Sequence, residues 1–285
     1  MSGVCSYPEV VNSPSAPHAS AGQWRRYLAL GDSFSEGLMD VVGSDGRHVG
    51  WADRVAGELA LLARARGEDG IEYANLAVRG RLVRQVIGEQ VPAAVLLRPD
   101  LVSLAVGVND TLRRTFDLNA VATSLENGVR DLRGTGADVL LFSFGDPTRR
   151  SRVMRPVRSR IHGYNSAVSA IASRYGCFQA SFWDVAAYDD DALWDQDWLH
   201  LSPAGHRLVA RTALEALGLG DDAWRTPDVS APPERLYRRL GTNTTWTTQH
   251  LVPWLARRAR GGSSGDGVVP KYPTWVPVTG PPQEG

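Results

Sequence analysis

The chain has 285 residues, of which 43% are hydrophobic and 22% are charged, fractions that are typical of a soluble globular protein. Thirty-one lysine and arginine residues balance 31 aspartate and glutamate residues, so no net field attracts nucleic acid or an anionic membrane. The two cysteines indicate no disulfide framework, residues 1–26 lack signal-peptide features, and no apolar run approaches the roughly 18 residues that span a bilayer. We therefore predict a cytoplasmic protein with a small-molecule partner, no nucleic acid and no stable membrane insertion.

The first elements along the chain are a leader and then alternating strands and helices. Residues 1–23 mix Ser, Pro, Ala and Gly without periodicity, which predicts a flexible leader. Apolar runs at 27–33, 71–78, 100–108, 138–144 and 177–185 are typical of strands, and the stretches between them carry helical spacing. Each unit has the length of a right-handed βαβ crossover. We therefore predict an α/β fold, a three-layer α/β/α sandwich around a parallel five-stranded sheet.

The last predicted element of this domain is a helix with Ser202 as N-cap and Pro203 at its first position, ending near Gly218. We place the domain boundaries at 24–218. Residues 219–285 then form a C-terminal appendage with one predicted helix at Leu251–Arg260, a flexible GGSSGDG segment and a Pro/Gly-rich end.

Polar residues follow the predicted strands at the points where the strands end. In an open parallel sheet, ligands bind beyond the carboxyl ends of the strands, so these residues are candidates for a site. Ser33 follows the first strand, and a serine hydroxyl becomes a nucleophile when a histidine accepts its proton. That histidine needs an acceptor on its other nitrogen, and a turn can bring Asp197 and His200 together. We predict that Ser33, His200 and Asp197 form a catalytic triad.

Donors for an oxyanion are predicted from the same strand ends. A developing oxyanion requires fixed hydrogen-bond donors, and the backbone N–H groups of Ser33 and Gly80 with the side-chain amide of Asn109 can provide them. Asp32 and Arg79 flank two of these positions, and each is a candidate substrate-binding residue. Asp32 could equally hold its own turn, and Arg79 could instead pair with an acidic neighbour.

Four short blocks now resemble a known family. GDSFSEG at 31–37, Gly80, GVND at 107–110 and DWLH at 197–200 are similar, in the same order, to the four blocks of the SGNH (GDSL) hydrolases. The resemblance covers roughly residues 26–217, and four ordered blocks are more specific than one short motif. It implies the flavodoxin-like sheet of the SGNH hydrolase fold. It also implies four signature positions and a triad acid: Ser33, Gly80, Asn109 and His200, with Asp197.

The function expected from these residues is a serine esterase or acylhydrolase that cleaves carboxylic esters through an acyl-enzyme, without cofactor. The spacing of Asp197, His200 and His206 matches no zinc motif, so no metal is predicted. Two alternatives stay open: an acyltransferase that uses the same triad, and a catalytically silent binding protein. The natural substrate, the acyl chain length and the oligomeric state do not follow from the sequence. The arginine-rich segment 149–160 either attracts anionic substrates or is a solvated surface.

Overall fold

The structure is a computed structural model that describes residues 22–149, 154–195, 197, 199–225 and 264–283. Its sheet consists of strands β1 Arg26–Gly31, β2 Ile71–Asn75, β3 Leu101–Ala105, β4 Asp138–Ser143, β5 Phe178–Ser181 and β6 Tyr272–Val278. The strand order is β5-β4-β3-β1-β2-β6. The first five strands are parallel and follow the flavodoxin-like order, which confirms the predicted fold class.

Helices lie between the five parallel strands along the chain, as parallel pairing requires. Their bounds are α1 Ser33–Glu36, α2 Gly50–Ala65, α3 Val83–Gln85, α4 Val91–Leu97, α5 Val108–Thr111, α6 Leu118–Gly134, α7 Arg155–Tyr175 and α8 Pro203–Ala216, with a π-helical segment Val86–Gln90 between α3 and α4. Short 3₁₀ segments lie at Pro147–Arg149, Ala186–Asp189, Asp191–Leu193 and Ala223–Arg225. The predicted cap of α8 is confirmed, because the Ser202 hydroxyl accepts a hydrogen bond from the Gly205 N–H.

The sheet separates two hydrophobic cores. Side chains of a strand alternate between faces, so Tyr27 and Ala29 of β1 pack with α2 and α8, whereas Leu28 and Leu30 pack with α4, α6 and α7. Helices therefore cover both faces, and the three-layer sandwich is confirmed.

All five predicted strands end earlier than their apolar runs, and the ends of β2 and β3 each have a local cause. β2 stops at Asn75 because the Asn75 side chain accepts a hydrogen bond from the Ala77 N–H, which turns the chain. β3 stops at Ala105 because Gly107 has a φ of 114° and α5 begins at the next residue. These early ends leave short loops at the carboxyl edge of the sheet.

The sixth strand, β6, was not predicted. It comes from the C-terminal appendage and pairs antiparallel with β2, with Ile71 opposite Val278. Its run contains Pro273 and Pro277, which lack an N–H and are tolerated at a sheet edge, where β6 lies. Residues 264–267, which the sequence indicated as flexible, form a turn in which Gly265 is buried. The boundary at residue 218 stays a prediction, but part of the appendage belongs to the sheet.

Several predictions concern residues beyond the described part of the chain. Most of the predicted leader and the predicted helix Leu251–Arg260 lie outside the described residues. Within the described ranges, no helix is long and apolar enough to cross a membrane.

Candidate active site

The end of β1 presents Ser33 from a rigid support. Gly31 approaches β3 so closely that a Cβ at this position would lie 2.1 Å from the Ala105 carbonyl oxygen, so glycine is required. The buried Gln90 side chain accepts from the Gly31 N–H at 2.8 Å and donates to the Gly31 carbonyl at 2.9 Å. Asp32 then caps α1 by accepting from the Phe34 N–H. Ser33 is consequently the first residue of a short helix at the carboxyl edge of the sheet.

The loop before α8 carries the second group of predicted residues. It is closed by a bridge between Trp194 and Leu201 and by a hydrogen bond from the Asp195 N–H to the His200 carbonyl. The His200 Nδ1 lies 2.5 Å from Asp197 Oδ2, and the His200 Nε2 lies 3.2 Å from Ser33 Oγ. Three side chains from loops far apart in sequence thus form one hydrogen-bonded chain.

Asp197 is held in its charged form. Burial raises the pKa of this carboxyl, but hydrogen bonds from the His200 ring and from the backbone N–H groups of His200 and Leu199 outweigh burial and lower the pKa to about 2. An ionised acceptor fixes the ring so that Nδ1 donates to Asp197 and Nε2 faces the serine as an acceptor.

Gly80 lies in a turn at the end of β2. The Arg81 N–H donates to the Val78 carbonyl at 3.4 Å, and Gly80, the third residue of this turn, has a φ of 75°. The Arg79 N–H donates to the Glu36 carboxylate at 2.7 Å, and the Arg79 guanidinium forms an ion pair with the same carboxylate. Arg79, a candidate substrate-binding residue, therefore ties the turn to α1.

Asn109 reaches the same region from α5. Its side-chain nitrogen donates to Asp32 Oδ2 at 3.0 Å and to the Arg81 carbonyl at 3.2 Å. An amide nitrogen has two hydrogens, so an oxyanion would compete with one of these two acceptors for a hydrogen of Asn109. The three predicted oxyanion residues are thus brought together, and Asn109 is already engaged by the protein.

The Asp32 carboxyl is buried beside the nucleophile. Burial raises its pKa to about 7, the hydrogen bonds from the Phe34 N–H and Asn109 oppose that rise, and the Asp110 carboxylate adds to it. Burial likewise raises the pKa of Asp110, to about 6, although the Val83 N–H donates to its carboxylate. Two neighbouring carboxyls therefore titrate near neutral pH within the site.

The arginine-rich segment has internal partners where it is described. Arg149 pairs with Asp189, Arg158 pairs with Asp146, and Arg160 donates to backbone carbonyls of α5 and the loop after it. Arg150 and Arg152 lie outside the described residues. These bonds account for three of the arginines without a substrate.

No group of three or more metal-binding side chains that could hold an ion occurs among the residues the structure describes. His206 is buried in α8, where its Nε2 lies 3.1 Å from the Leu38 carbonyl oxygen. Burial lowers the pKa of His206 to about 3, so this histidine is neutral at physiological pH.

Three residues that shape the site were missed by the sequence analysis. Gln90 clamps Gly31, Glu36 holds the Arg79 backbone, and the Tyr164 hydroxyl donates to the Val106 carbonyl at 2.6 Å. The Tyr164 ring also lies where a Cβ at Gly107 would be, within 2.3 Å. Gln90 and Tyr164 are distant in sequence from their partners, and no sequence pattern marks either of them. In the structure, Gln90 ends a π-helical segment, a rare conformation that is frequent at functional sites.

A model of the GDSL-like Lipase/Acylhydrolase family matches residues 29–208, which is more than half of the chain. The chain therefore belongs to this family of ester-hydrolysing enzymes, and the resemblance found in the sequence is confirmed.

Several individual proteins are similar to this chain in sequence or in fold. An acetylxylan esterase from Geobacillus stearothermophilus is 25% identical over 215 residues, which are 69% of this chain and 95% of that protein. The crystal structure of Axe2, an acetylxylan esterase from the same organism, has a TM-score of 0.57 at 20% identity and covers 70% of this chain and 97% of its own. LAE5, an alpha/beta hydrolase from the metagenome of Lake Arreo in Spain, has a TM-score of 0.58 at 22% identity, with 72% of this chain and 100% of that chain covered. Three other Axe2 structures are catalytic mutants in which a serine, a histidine or an aspartate is replaced by alanine, the aspartate lying three positions before the histidine.

Proposed function

We propose that this enzyme hydrolyses carboxylic esters through an acyl-enzyme formed on Ser33. The observation that carries the proposal is the hydrogen-bonded chain from Asp197 through His200 to the Ser33 hydroxyl. Membership of an ester-hydrolysing family supports it. So do the catalytic mutants of Axe2, because their aspartate and histidine have the spacing of Asp197 and His200.

The proposed reaction has two halves. The Ser33 oxygen bonds to the ester carbonyl carbon while its proton passes to His200 Nε2, and the bond to the alcohol then breaks as His200 returns the proton to the leaving oxygen. Water repeats the attack on the acyl-enzyme, with its proton passing through His200, and releases the acid and free Ser33. Asp197 keeps its charge throughout and stabilises the imidazolium that forms in each half.

The oxyanion of each tetrahedral intermediate is proposed to bind the N–H groups of Ser33 and Gly80 and the amide of Asn109. The bond from Asn109 to the Arg81 carbonyl is longer than the bond to Asp32, so we expect the oxyanion to displace it. Asp32 and Arg79 are proposed to hold Asn109 and the Gly80 turn in position, since their side chains are engaged there. No step requires a cofactor.

The proposed substrates are short-chain acyl esters, with acetyl esters first. The acetylxylan esterase that is 25% identical to this chain supports this choice. A cytoplasmic location is also proposed, because two cysteines in 285 residues suit a reducing compartment.

The test is a series of 4-nitrophenyl esters from acetate to decanoate with the wild-type enzyme and Ser33→Ala. We expect hydrolysis to be fastest with the shortest esters and to fall by about 10⁴-fold or more in the variant, because the nucleophile is lost. Mass spectrometry of acid-quenched wild-type enzyme is expected to show the acyl group on the peptide that contains Ser33.

Ser35→Ala is the matched control, because Ser35 lies on the same short helix but is fully buried. This variant is expected to keep wild-type turnover. Turnover that survives Ser33→Ala, or is lost in Ser35→Ala alone, would contradict the proposal. An added alcohol that captures most of the acyl group would instead favour an acyltransferase, and a folded wild-type protein that neither turns over nor reacts with a fluorophosphonate would favour a silent binding protein.

A further inference from the structure

We propose that Gly265, in the turn formed by residues 264–267 of the C-terminal appendage, is a positioning residue for the oxyanion donor Gly80. This inference rests on the proposed function, because it concerns the peptide that is proposed to bind the oxyanion. It assigns a part in the reaction to a segment that lies outside residues 29–208, the range matched by the family model.

The backbone of Gly265 lies directly against the peptide that joins Arg79 to Gly80. A Cβ built on Gly265 would be 2.1 Å from the Arg79 carbonyl oxygen and 3.0 Å from a methyl carbon of Val78. Gly265 is buried, although its neighbours in the turn are exposed. Only a glycine backbone can approach this carbonyl so closely, because any side chain would force backbone atoms apart.

The contact matters because of the peptide it touches. The Arg79 carbonyl and the Gly80 N–H belong to one planar trans peptide and point in opposite directions, so fixing the carbonyl fixes the N–H. This peptide is the central one of the turn from Val78 to Arg81, whose own hydrogen bond uses neither group. The central peptide is rotated by about 150° between type I and type II turns, and glycine at the third position permits both.

The rest of the turn is held by other elements. The preceding N–H, that of Arg79, is fixed by Glu36, and the carbonyl of Arg81 accepts from Asn109. Gly265 occupies the remaining side, against the Arg79 carbonyl itself. Rotation of the central peptide would move the Arg79 carbonyl away from its contact with Gly265. This contact therefore maintains the positive φ of Gly80.

The test is Gly265→Ala in the full-length enzyme. We expect kcat to fall by about 10- to 100-fold while KM changes little. This decrease is at or below the roughly 100- to 1,000-fold decrease in kcat that follows removal of a whole oxyanion donor. The inhibition constant of an arylboronic acid, whose tetrahedral adduct places an oxygen where the oxyanion forms, is expected to rise by the same factor as kcat falls. If Gly265 only stabilised the fold, the decrease in kcat and the rise in the inhibition constant would not be expected to match.

Gly267→Ala is the matched control. Gly267 lies in the same turn and has a φ of 78°, so alanine strains the backbone there, but a Cβ would meet nothing within 4 Å. This variant is expected to keep the wild-type kcat and boronate affinity. A wild-type kcat in Gly265→Ala, or an equal loss in Gly267→Ala, would overturn the inference.

A measurement on the wild-type enzyme does not depend on whether the variant folds. Because coupling between two sites is reciprocal, an arylboronate on Ser33 is expected to slow amide hydrogen exchange in the 264–267 turn by about fivefold or more. The turn at Gly46, where a Cβ would meet nothing, is the reference. Unchanged exchange at 264–267 overturns the inference. A wild-type enzyme that shows no esterase activity would instead refute the proposed function.

Discussion

Asp32 lies at the centre of the polar groups around the nucleophile. Its carboxylate accepts from the Phe34 N–H and from the Asn109 amide, so one side chain fixes both the helix that carries Ser33 and a proposed oxyanion donor. This position is unfavourable for a charged carboxylate. The Asp32 side chain is 5% exposed, and its burial, together with the nearby Asp110 carboxylate, raises its pKa to about 7. A group that orders the site therefore weakens the fold when it ionises.

The first prediction concerns the pH dependence of stability. The pKa of Asp32 rises from 3.8 in the unfolded chain to about 7 in the folded protein, so its favourable contribution is complete below about pH 4 and is lost as the pH rises through 7. Asp32→Asn removes this titration. We expect the free energy of unfolding of the variant, relative to wild type, to improve between pH 4 and pH 8 by up to about 4 kcal/mol.

Urea unfolding of both proteins at each pH measures this difference. Asp53 and Asp110 also have pKa values raised to about 6, but they titrate in both proteins, so the comparison largely cancels their effect. A difference between the two proteins that does not vary with pH would show that the pKa of Asp32 is the same in the folded and unfolded states.

At the residue scale, the sequence predicted which side chains lie together in the site. It did not predict the residues whose hydrogen bonds hold the surrounding backbone in place. Ser33, Asn109 and His200 follow strands or precede a helix at positions that parallel topology brings to one edge. The partners Gln90 and Tyr164 are ordinary residues within helical patterns. Their roles depend on side-chain direction over distances of 59 and 58 residues, which a local pattern does not encode.

At the element scale, β6 is attached by a buried ion pair. The Lys271 ammonium donates to Asp53 of α2 at 2.6 Å and to the carbonyls of His48 and Val49 at 2.8 and 3.1 Å. Both charged side chains are less than a tenth exposed. All three ammonium hydrogens thus have acceptors on the loop and helix that follow the nucleophile.

The second prediction is that Lys271→Met destabilises the protein by about 3–5 kcal/mol, because it leaves the Asp53 carboxylate buried without its partner. Burial already raises the pKa of Asp53 to about 6 against the opposing effect of Lys271, so removing the lysine raises it further. The loss is therefore expected to be larger at pH 8 than at pH 5, and urea unfolding measures it.

The double variant Lys271→Met/Asp53→Leu provides the control. Removing both charges is expected to recover most of the lost stability, because no unpaired carboxylate remains. If the double variant is as unstable as the single one, the carbonyl bonds of Lys271 and not its ion pair account for the stabilisation.

The elements themselves were predictable to different degrees. Strands β1–β5 and helices α2, α6 and α8 show clear apolar periodicity, because each buries a face or stripe in one of the two cores. β6 does not, because an edge strand with no buried residue and with two prolines resembles a Pro-rich tail. Its pairing with β2 depends on a neighbour about 200 residues earlier in the chain.

At the scale of the whole molecule, residues 272–281 pack against β2 and α2. β6 covers the outer edge of β2, Tyr272 packs on the buried Tyr73, and Pro281 lies so close to α2 that a Cβ at Gly57 would be 2.8 Å from its Cα. A bare β2 edge would offer unpaired N–H and C=O groups to other chains.

The third prediction tests the domain boundary at residue 218. A chain that ends there lacks Lys271 and exposes apolar surface on β2 and α2, so it is expected to lose at least the roughly 3–5 kcal/mol predicted for Lys271→Met, and its unfolding temperature is expected to fall by about 10 °C or more. Size-exclusion chromatography is expected to show association that increases with concentration. A shortened chain that is monomeric and as stable as the full chain would show that residues 24–218 fold independently.

The burial of Lys271 also affects how reagents that acylate amines react with the protein. Lys271 is the only lysine in the sequence, so apart from the chain terminus it is the only primary amine that an acylating reagent can find. In the closed fold its nitrogen is shielded by its three hydrogen-bond acceptors, and it becomes reactive when β6 lifts from the sheet. The rate at which a dilute N-hydroxysuccinimide ester acylates the peptide that contains Lys271, measured by mass spectrometry in the Ser33→Ala variant, thus reports those opening events without an engineered label.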